Sequence, residues 1–280
     1  MILKTLFLLG DIGFFNPKLD MLVNNINNKL GHNDAVAILG DNFYPSGVEN
    51  NNDPQWIKFI ETFKNTNKPI YSILGNHDYL QNPVSQIKNS KWIMDSWYYK
   101  KEYDNIDLYF LDTIQFNIHT WVSKEKIEEV HGLDCKILIE NQLEWLNNEL
   151  CKKPNKKKLV LGHYPIITNG VYKDKVVDFN NYIIDTFKRH NVNIYLSGHE
   201  HNIQYLNRKY NDFDFNQIIV GSSSENRIDD AKHKLIFECS DDMFDNKEIF
   251  YGKLHIFGDY VIMRYYNEKN ELKHQFKIIY

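Results

Sequence analysis

The feature that most constrains this chain is a pattern repeated five times, in which a short apolar run ends in glycine and a potential metal ligand follows. In open α/β sheets, functional side chains cluster just beyond the carboxyl ends of the strands. We therefore expect five strands whose ends meet, with each glycine letting the backbone turn sharply so that the next side chain points into a shared cleft. The five blocks are Gly10-Asp11-Ile12-Gly13, Gly40-Asp41-Asn42-Phe43-Tyr44, Gly75-Asn76-His77-Asp78, Gly162-His163-Tyr164-Pro165 and Gly198-His199-Glu200-His201.

Each block taken alone is a weak signal. Gly-Asp after a strand is more often a turn with a helix cap than a metal site. A single histidine such as His163 is more often a hydrogen-bonded core residue. His199 and His201 are more specific, because two imidazoles two residues apart at a strand end can face neighbouring ions. Five structural accidents at successive strand ends are far less probable than one shared site, so the set predicts a metal centre.

Short apolar runs alternate with amphipathic stretches, which implies parallel sheet with helices outside it. The segment from about 249 to 280 holds two or three aromatic-rich strands separated by Gly258-Asp259 and Asn267-Glu268, and predicts an antiparallel end that closes a second sheet. The remaining predicted strands are 4–9, 36–40, 69–74, 107–112, 158–162, 193–198 and 217–221, and the predicted helices are 19–30, 54–64, 139–152 and 179–190.

Composition and charge exclude several classes of function. The 280 residues are 42% hydrophobic, and no stretch has the composition of a linker, so we expect a single domain over 1–280. The net charge of -4 arises from interspersed charges and gives no basic face for nucleic acid. No run of about 20 apolar residues predicts a membrane span.

The opening apolar run is too short for a secretory signal and leads directly into Asp11. The three cysteines are odd in number and widely spaced, which predicts reduced thiols and a cytoplasmic location. These cysteines are Cys135, Cys151 and Cys239. The oligomeric state is left open.

Over residues 10 to 201, the five blocks together resemble the signature of the calcineurin-like metallophosphoesterases, and specifically that of their purple acid phosphatase branch. Most of the wider superfamily carries Asp-x-His in the first block, whereas here the third position is Gly13, which cannot bind metal. The second block supplies Tyr44 instead, and this exchange marks the purple acid phosphatases, whose tyrosinate binds ferric iron. The resemblance, closest to the small tartrate-resistant type, implies a four-layer α/β/β/α sandwich of two mixed sheets flanked by helices.

The same resemblance implies two metal sites that share one bridging ligand. The first site would be formed by Asp11, Asp41, Tyr44 and His201, and the second by Asp41, Asn76, His163 and His199. Two carboxylates and a phenolate suit a hard ferric ion in the first site. The less charged second site suits Fe(II), Zn or Mn, and the ligand set does not choose among these three metals.

The activity that the resemblance implies is hydrolysis of phosphate monoesters, with metal-bound hydroxide as the nucleophile and direct in-line attack on phosphorus. The substrate would be a small phosphorylated molecule. His77 matches the histidine of the family motif that contacts phosphate and assists the leaving group. Asp78 and Asp112 are expected to orient the metal ligands through hydrogen bonds.

One loop departs from the family pattern. Purple acid phosphatases often place a Glu-His pair after Gly-His-Tyr-Pro, where this chain has Val171 and Tyr172. Tyr172 can donate a hydrogen bond to phosphate, but a phenol with a pKa near 10 is a poor acid or base between pH 5 and 7. Three alternatives therefore stay open: a phosphodiesterase of the same superfamily, a non-catalytic metal-binding interaction module, and a redox use of the iron pair.

Overall fold

The computed structural model describes residues 2–116, 121–173, 175, 177–227 and 248–280. Within this range two six-stranded mixed sheets are flanked by helices, as the sequence predicted. Cys239 lies outside the described residues. The first sheet contains β1 (Lys4–Leu9), β2 (Asp34–Ile38), β3 (Ile70–Ser72), β10 (Phe250–Ile256), β11 (Tyr260–Asn267) and β12 (Leu272–Ile279). The second contains β4 (Tyr99–Glu102), β5 (Ile106–Phe110), β6 (Lys157–Leu161), β7 (Ile194–Ser197), β8 (Ile203–Tyr210) and β9 (Phe213–Val220).

In each sheet a parallel core is extended by antiparallel strands. The first sheet has the order β12-β11-β10-β1-β2-β3, and β1, β2 and β3 run parallel. The second has the order β4-β5-β6-β7-β9-β8, with β5, β6, β7 and β9 parallel. All six residues of β1 are buried, as expected for a parallel strand covered on both faces.

The prediction that the final strands close a second sheet is wrong. β10 pairs antiparallel with β1, placing Leu254 opposite Leu6, and β11 and β12 extend the same sheet outward. Because β2 occupies only one edge of β1, the C-terminal strands can satisfy the backbone groups of the other edge. The second sheet is built instead from the middle of the chain.

Four of the six helices in the described residues follow the predicted positions. The helices are α1 (Pro17–Asn27), α2 (Gln55–Phe63), α3 (Asn76–Tyr79), α4 (Lys124–His131), α5 (Cys135–Lys152) and α6 (Val177–Arg189), and 3₁₀ turns span Pro83–Gln86 and Thr113–Phe116. The sequence did not predict α3, which is a single turn, or α4, in which Ile127 is the one buried apolar residue and no apolar stripe is present. In the described part of the chain, no helix is long and apolar enough to cross a membrane.

Candidate metal centre

The seven predicted ligands come from both sheets and meet at one edge. Asp11, Asp41 and Asn76 follow the carboxyl ends of β1, β2 and β3, while His163 and His199 follow β6 and β7. All seven side chains are buried. The carboxyl ends of parallel strands lie at the same edge of a sheet. Because the two sheets face each other, the ligands from both sheets meet at this edge.

Three of these ligands have unusual backbone conformations. Asp11, Asp41 and His199 have φ values of 58°, 51° and 72°, in the left-handed region that residues other than glycine seldom adopt. Such conformations cost about 1–3 kcal/mol each and cluster at functional sites, where the surrounding structure maintains them. The backbone therefore turns at the ligand itself and directs its side chain into the cleft.

The expectation that the preceding glycines make these turns is correct only for Gly40, whose φ is 86°. The glycines that precede the ligands in the other four blocks do not have positive φ values; they are required for space. A Cβ atom on Gly10 would lie 1.9 Å from a backbone oxygen, and one on Gly75 would lie 2.2 Å from Oδ1 of Asp41. Glycine thus allows neighbouring strand ends to approach closely.

The first predicted metal site is a compact cluster of four side chains. The Tyr44 hydroxyl lies 3.2 Å from Oδ1 of Asp11, 3.1 Å from Oδ2 of Asp41 and 3.0 Å from Nε2 of His201. Nε2 of His201 lies 3.4 Å from Oδ1 of Asp11. Ligand atoms that share an ion at about 2.1 Å are separated by about 3.0–3.4 Å, depending on the coordination angle. These four distances lie in the range expected for atoms that share an ion.

The second predicted site shares Asp41 with the first. Nε2 of His163 lies 3.0 Å from Oδ1 of Asn76 and 3.5 Å from Oδ1 of Asp41. Asp41 thus offers Oδ2 to the first cluster and Oδ1 to the second, as a bridging carboxylate would. His199 completes the set, with its ring centre 5.1 Å from that of His163.

The electrostatics of the cluster fit bound cations. Burial and the neighbouring Asp41 raise the pKa of Asp11 well above its usual value. Burial, together with Asp41 and Asp11, raises the pKa of the Tyr44 phenol in the same way. Buried carboxylates without a compensating charge are costly, and one phenolic proton cannot satisfy three acceptors at once. A positive ion among these donors would remove both problems.

The histidines are oriented for metal binding. Burial lowers the pKa of His199 well below its usual value, and it lowers the pKa of His163 as well, so both rings are neutral, as ligands must be. Nδ1 of His163 lies 2.8 Å from the Leu39 carbonyl oxygen, which can only accept a hydrogen bond. The lone pair of this ring therefore lies on Nε2, which faces Asn76 and Asp41.

Glu225 is a functional candidate that the sequence did not indicate. Its Oε2 lies 3.3 Å from Nδ1 of His201, the ring nitrogen that faces away from Asp11. Its negative charge favours this ring orientation electrostatically, although Nδ1 of His201 forms no hydrogen bond among the described residues. The contacts with His201 and Arg227 lower the pKa of Glu225 to about 2.

His77 lies at the open side of the first cluster, and its side chain is 26% exposed. Its backbone N–H donates to Oδ1 of Asp41 at 2.9 Å, and Nδ1 lies 2.5 Å from the Pro45 carbonyl oxygen. Nε2 is 3.9 Å from Oδ2 of Asp41, and the ring meets Tyr44 edge-on at 4.6 Å. Nε2 of His77 therefore faces the first cluster.

Asp78 links the loops that carry the ligands. Its carboxylate accepts hydrogen bonds from the backbone N–H groups of Asn42 at 3.1 Å and Gly75 at 2.8 Å. These two amides are adjacent in sequence to Asp41 and Asn76. Asp78 therefore positions two ligand loops through their backbone.

Asp112 lies farther from the centre than predicted. Its carboxylate accepts from the Tyr79 hydroxyl and from Gln115, and among the described residues it forms no hydrogen bond to a predicted ligand. The adjacent Thr113 makes the contact instead, because its Oγ1 accepts from the backbone N–H of His163 at 3.1 Å. An acid at the end of a strand is visible in the sequence, but the direction of its side chain is not.

Tyr172 covers one face of the centre, and Glu200 holds its loop in place. The Tyr172 ring stacks on His199 with ring centres 4.2 Å apart, and burial raises the pKa of its hydroxyl to about 12. Oε1 of the buried Glu200 accepts from Thr168 Oγ1 at 2.6 Å and from the Tyr172 N–H at 3.3 Å. Glu200 therefore binds the loop and not the metal cluster.

Comparisons with known proteins identify the family of this chain. The family model for calcineurin-like phosphoesterases matches residues 4–202, which include all seven predicted ligands. Tartrate-resistant acid phosphatase type 5 of Rattus norvegicus is 33% identical over 192 residues, which cover 62% of this chain and 56% of the relative. Purple acid phosphatase 3 of Arabidopsis thaliana is 28% identical over 185 residues, covering 62% of this chain and 50% of the relative. The chain thus spans about half the length of the curated relatives it matches.

A solved structure shares the fold over the full length of the chain. The protein described as GAP50, the anchor in the inner membrane complex of Plasmodium, matches with a TM-score of 0.73 and 18% identity. The match covers 100% of this chain and 89% of that protein. At this level of identity the similarity concerns the fold alone.

Proposed function

This chain belongs to the calcineurin-like phosphoesterase family, and from that premise we propose that it hydrolyses small phosphate monoesters at a dinuclear metal centre. The observation that supports the proposal most strongly is the position of Tyr44. Its hydroxyl lies 3.0–3.2 Å from Asp11, Asp41 and His201, where a phenolate could bind the same ion as they do. Relatives that match this chain include acid phosphatases of the tartrate-resistant and purple types.

The donor set favours ferric iron in the first site and a divalent ion in the second. Two carboxylate oxygens and a phenolate suit a hard trivalent ion. The second site has two imidazoles, one amide oxygen and the shared Asp41, which suit Fe(II), Zn or Mn. When bound, such a pair of cations lowers the pKa of a water molecule and offsets the charge that develops on the phosphoryl oxygens.

The protein side chains then have separate tasks. Nδ1 of His77 donates to the Pro45 carbonyl oxygen, so Nε2 is the nitrogen that would exchange a proton with the leaving-group oxygen, giving one when the ring is doubly protonated. Tyr172 would donate a hydrogen bond to the phosphate, and its raised pKa keeps its hydroxyl protonated across the working range. The ring of Tyr172 covers His199, while the side chain of His77 is 26% exposed and can be reached from solvent.

Hydrolysis of nitrophenyl phosphate, compared with its bis-ester, tests the proposal. We expect the metal-loaded protein to cleave the monoester faster, and Asp41→Asn to lose both bound metal and activity because Asp41 serves both sites. Asp214→Asn is the matched control, since Asp214 is 58% exposed on β9 and should keep both properties. Faster cleavage of the bis-ester would assign a phosphodiesterase. Absence of hydrolysis of both esters between pH 4 and 8, with metal bound, would assign a non-catalytic binding module.

A further inference from the structure

A small cavity of about 110 Å³ lies beside the candidate metal centre. Tyr172 lies on one side of it, His199 and His201 line another part, and Arg227 completes the wall. This volume is several times that of one water molecule in a cavity and suits a group the size of a phosphate or carboxylate. Because two predicted metal ligands, His199 and His201, line the cavity, it adjoins the place where the scissile phosphate would bind.

Arg227 is held in place on both its backbone and its side chain. Its backbone N–H donates to the His201 carbonyl oxygen at 2.7 Å, and its Nη2 donates to Oε2 of Glu225 at 2.8 Å. A guanidinium group has five N–H donors in a fixed planar arrangement. The side chain is 46% exposed, so donors beyond the Glu225 contact can reach a ligand in the cavity.

Two acidic residues lie near Arg227. Oε2 of Glu225 accepts from Arg227 at 2.8 Å and lies 3.3 Å from Nδ1 of His201. Glu200, in the cavity wall, accepts from Thr168 Oγ1 at 2.6 Å through Oε1, while its buried Oε2 has no hydrogen-bond partner among the described residues. A second cation, Nζ of Lys175, lies 5.5 Å from the centre of the Tyr172 ring. The positive side chains of Arg227 and Lys175 thus lie near the uncharged Tyr172.

We propose that Arg227 and this cavity bind a second anionic group of the substrate. The substrates would accordingly be phosphate esters whose leaving group bears a phosphate or a carboxylate close to the scissile phosphate. Guanidinium groups recognise both oxyanions through paired hydrogen bonds. This inference rests on the proposed function, because it places the scissile phosphate at the metal centre.

Three related ligands test the inference as competitive inhibitors of nitrophenyl phosphate hydrolysis by the metal-loaded protein. Methylphosphonate carries one anionic group, phosphonoacetate adds a carboxylate, and methylenediphosphonate adds a second phosphonate. We expect Arg227→Gln to weaken one or both of the two-anion ligands about 10- to 100-fold, as for loss of a charged hydrogen bond, with a much smaller effect on methylphosphonate. Weakening of phosphonoacetate would indicate a carboxylate site, and weakening of methylenediphosphonate a phosphate site. Arg227→Lys keeps the positive charge and should restore part of the lost affinity.

Controls separate this effect from others. Arg208→Gln removes the same charge from an exposed position of β8 and should leave all three inhibition constants unchanged. If methylenediphosphonate inhibits only by chelating the metals, its inhibition constant should be the same in the wild type and in Arg227→Gln. Equal inhibition constants for all three ligands in the wild type, or equal weakening of all three in Arg227→Gln, would overturn the inference. If the wild type hydrolyses no ester, the proposed function fails, and calorimetric titration of the same ligands tests Arg227 without turnover.

Discussion

The backbone N–H of His199 donates a hydrogen bond of 2.8 Å to Oδ2 of Asp11, although the two residues are 188 positions apart. Asp11 follows β1 in the first sheet, and His199 follows β7 in the second. The bond fixes one oxygen of the Asp11 carboxylate, so Oδ1 faces Tyr44 and His201. The metal cluster therefore depends on how the two sheets face each other.

Replacement of His77 by glutamine should lower kcat for nitrophenyl phosphate about 10²- to 10⁴-fold, the range for loss of a positioned acid or base. Metal content should stay unchanged, because Nε2 of His77 lies 3.9 Å from Asp41, beyond the spacing of the predicted ligand atoms. Steady-state kinetics and metal analysis on the same preparation check both parts. Replacement of the exposed His32 by glutamine is the control. An unchanged kcat would remove His77 from the proposed chemistry.

Replacement of Glu200 by alanine should destabilise the protein by about 1–3 kcal/mol and raise KM, because the Tyr172 loop loses its buried acceptor. Glu200→Gln keeps one acceptor oxygen and should cost less. Denaturant unfolding and steady-state kinetics measure the two effects. Thr168→Val removes the donor of the same hydrogen bond, so the Glu200 and Thr168 changes should be non-additive. Additive changes would show that the two residues act independently.

Asp112 should make stability fall as pH rises, because burial raises its pKa to about 7. The folded protein then binds more protons than the unfolded chain between about pH 4 and 7, and loses stability across that window. Asp112→Asn should remove up to about 2 kcal/mol of the stability difference between pH 5 and pH 7. Urea unfolding of the metal-free proteins at both pH values measures this. The same pH dependence in wild type and variant would show that the carboxyl group titrates normally.

Much of this architecture is visible in the sequence because apolar strands ending in a glycine and a ligand form a repeated local pattern. Other elements lack such a pattern. β4 and β8 are polar edge strands. In β4, for example, the consecutive Lys100 and Lys101 break the alternation of apolar and polar residues that would predict a strand. The pairing of β10 with β1 connects distant segments, and local sequence does not specify it.

Contacts between distant segments also explain why the sequence did not indicate some site residues. Glu225 and Arg227 belong to no motif, and they reach His201 because β8 and β9 form a hairpin that returns the chain to the same sheet edge. Asp112 was placed too near the ligands because its side-chain direction depends on packing against Tyr79. The single-domain organisation and the cytoplasmic location stay predictions.

The Tyr44 phenolate is proposed to bind iron in the first site, and an optical spectrum with metal analysis tests this assignment most directly. Protein purified with iron should show a visible phenolate-to-iron absorption band. The band should vanish in Tyr44→Phe and persist in Tyr182→Phe, which alters a tyrosine that is 46% exposed on α6. An identical band in Tyr44→Phe, or a colourless active wild type with two divalent ions, would contradict the account.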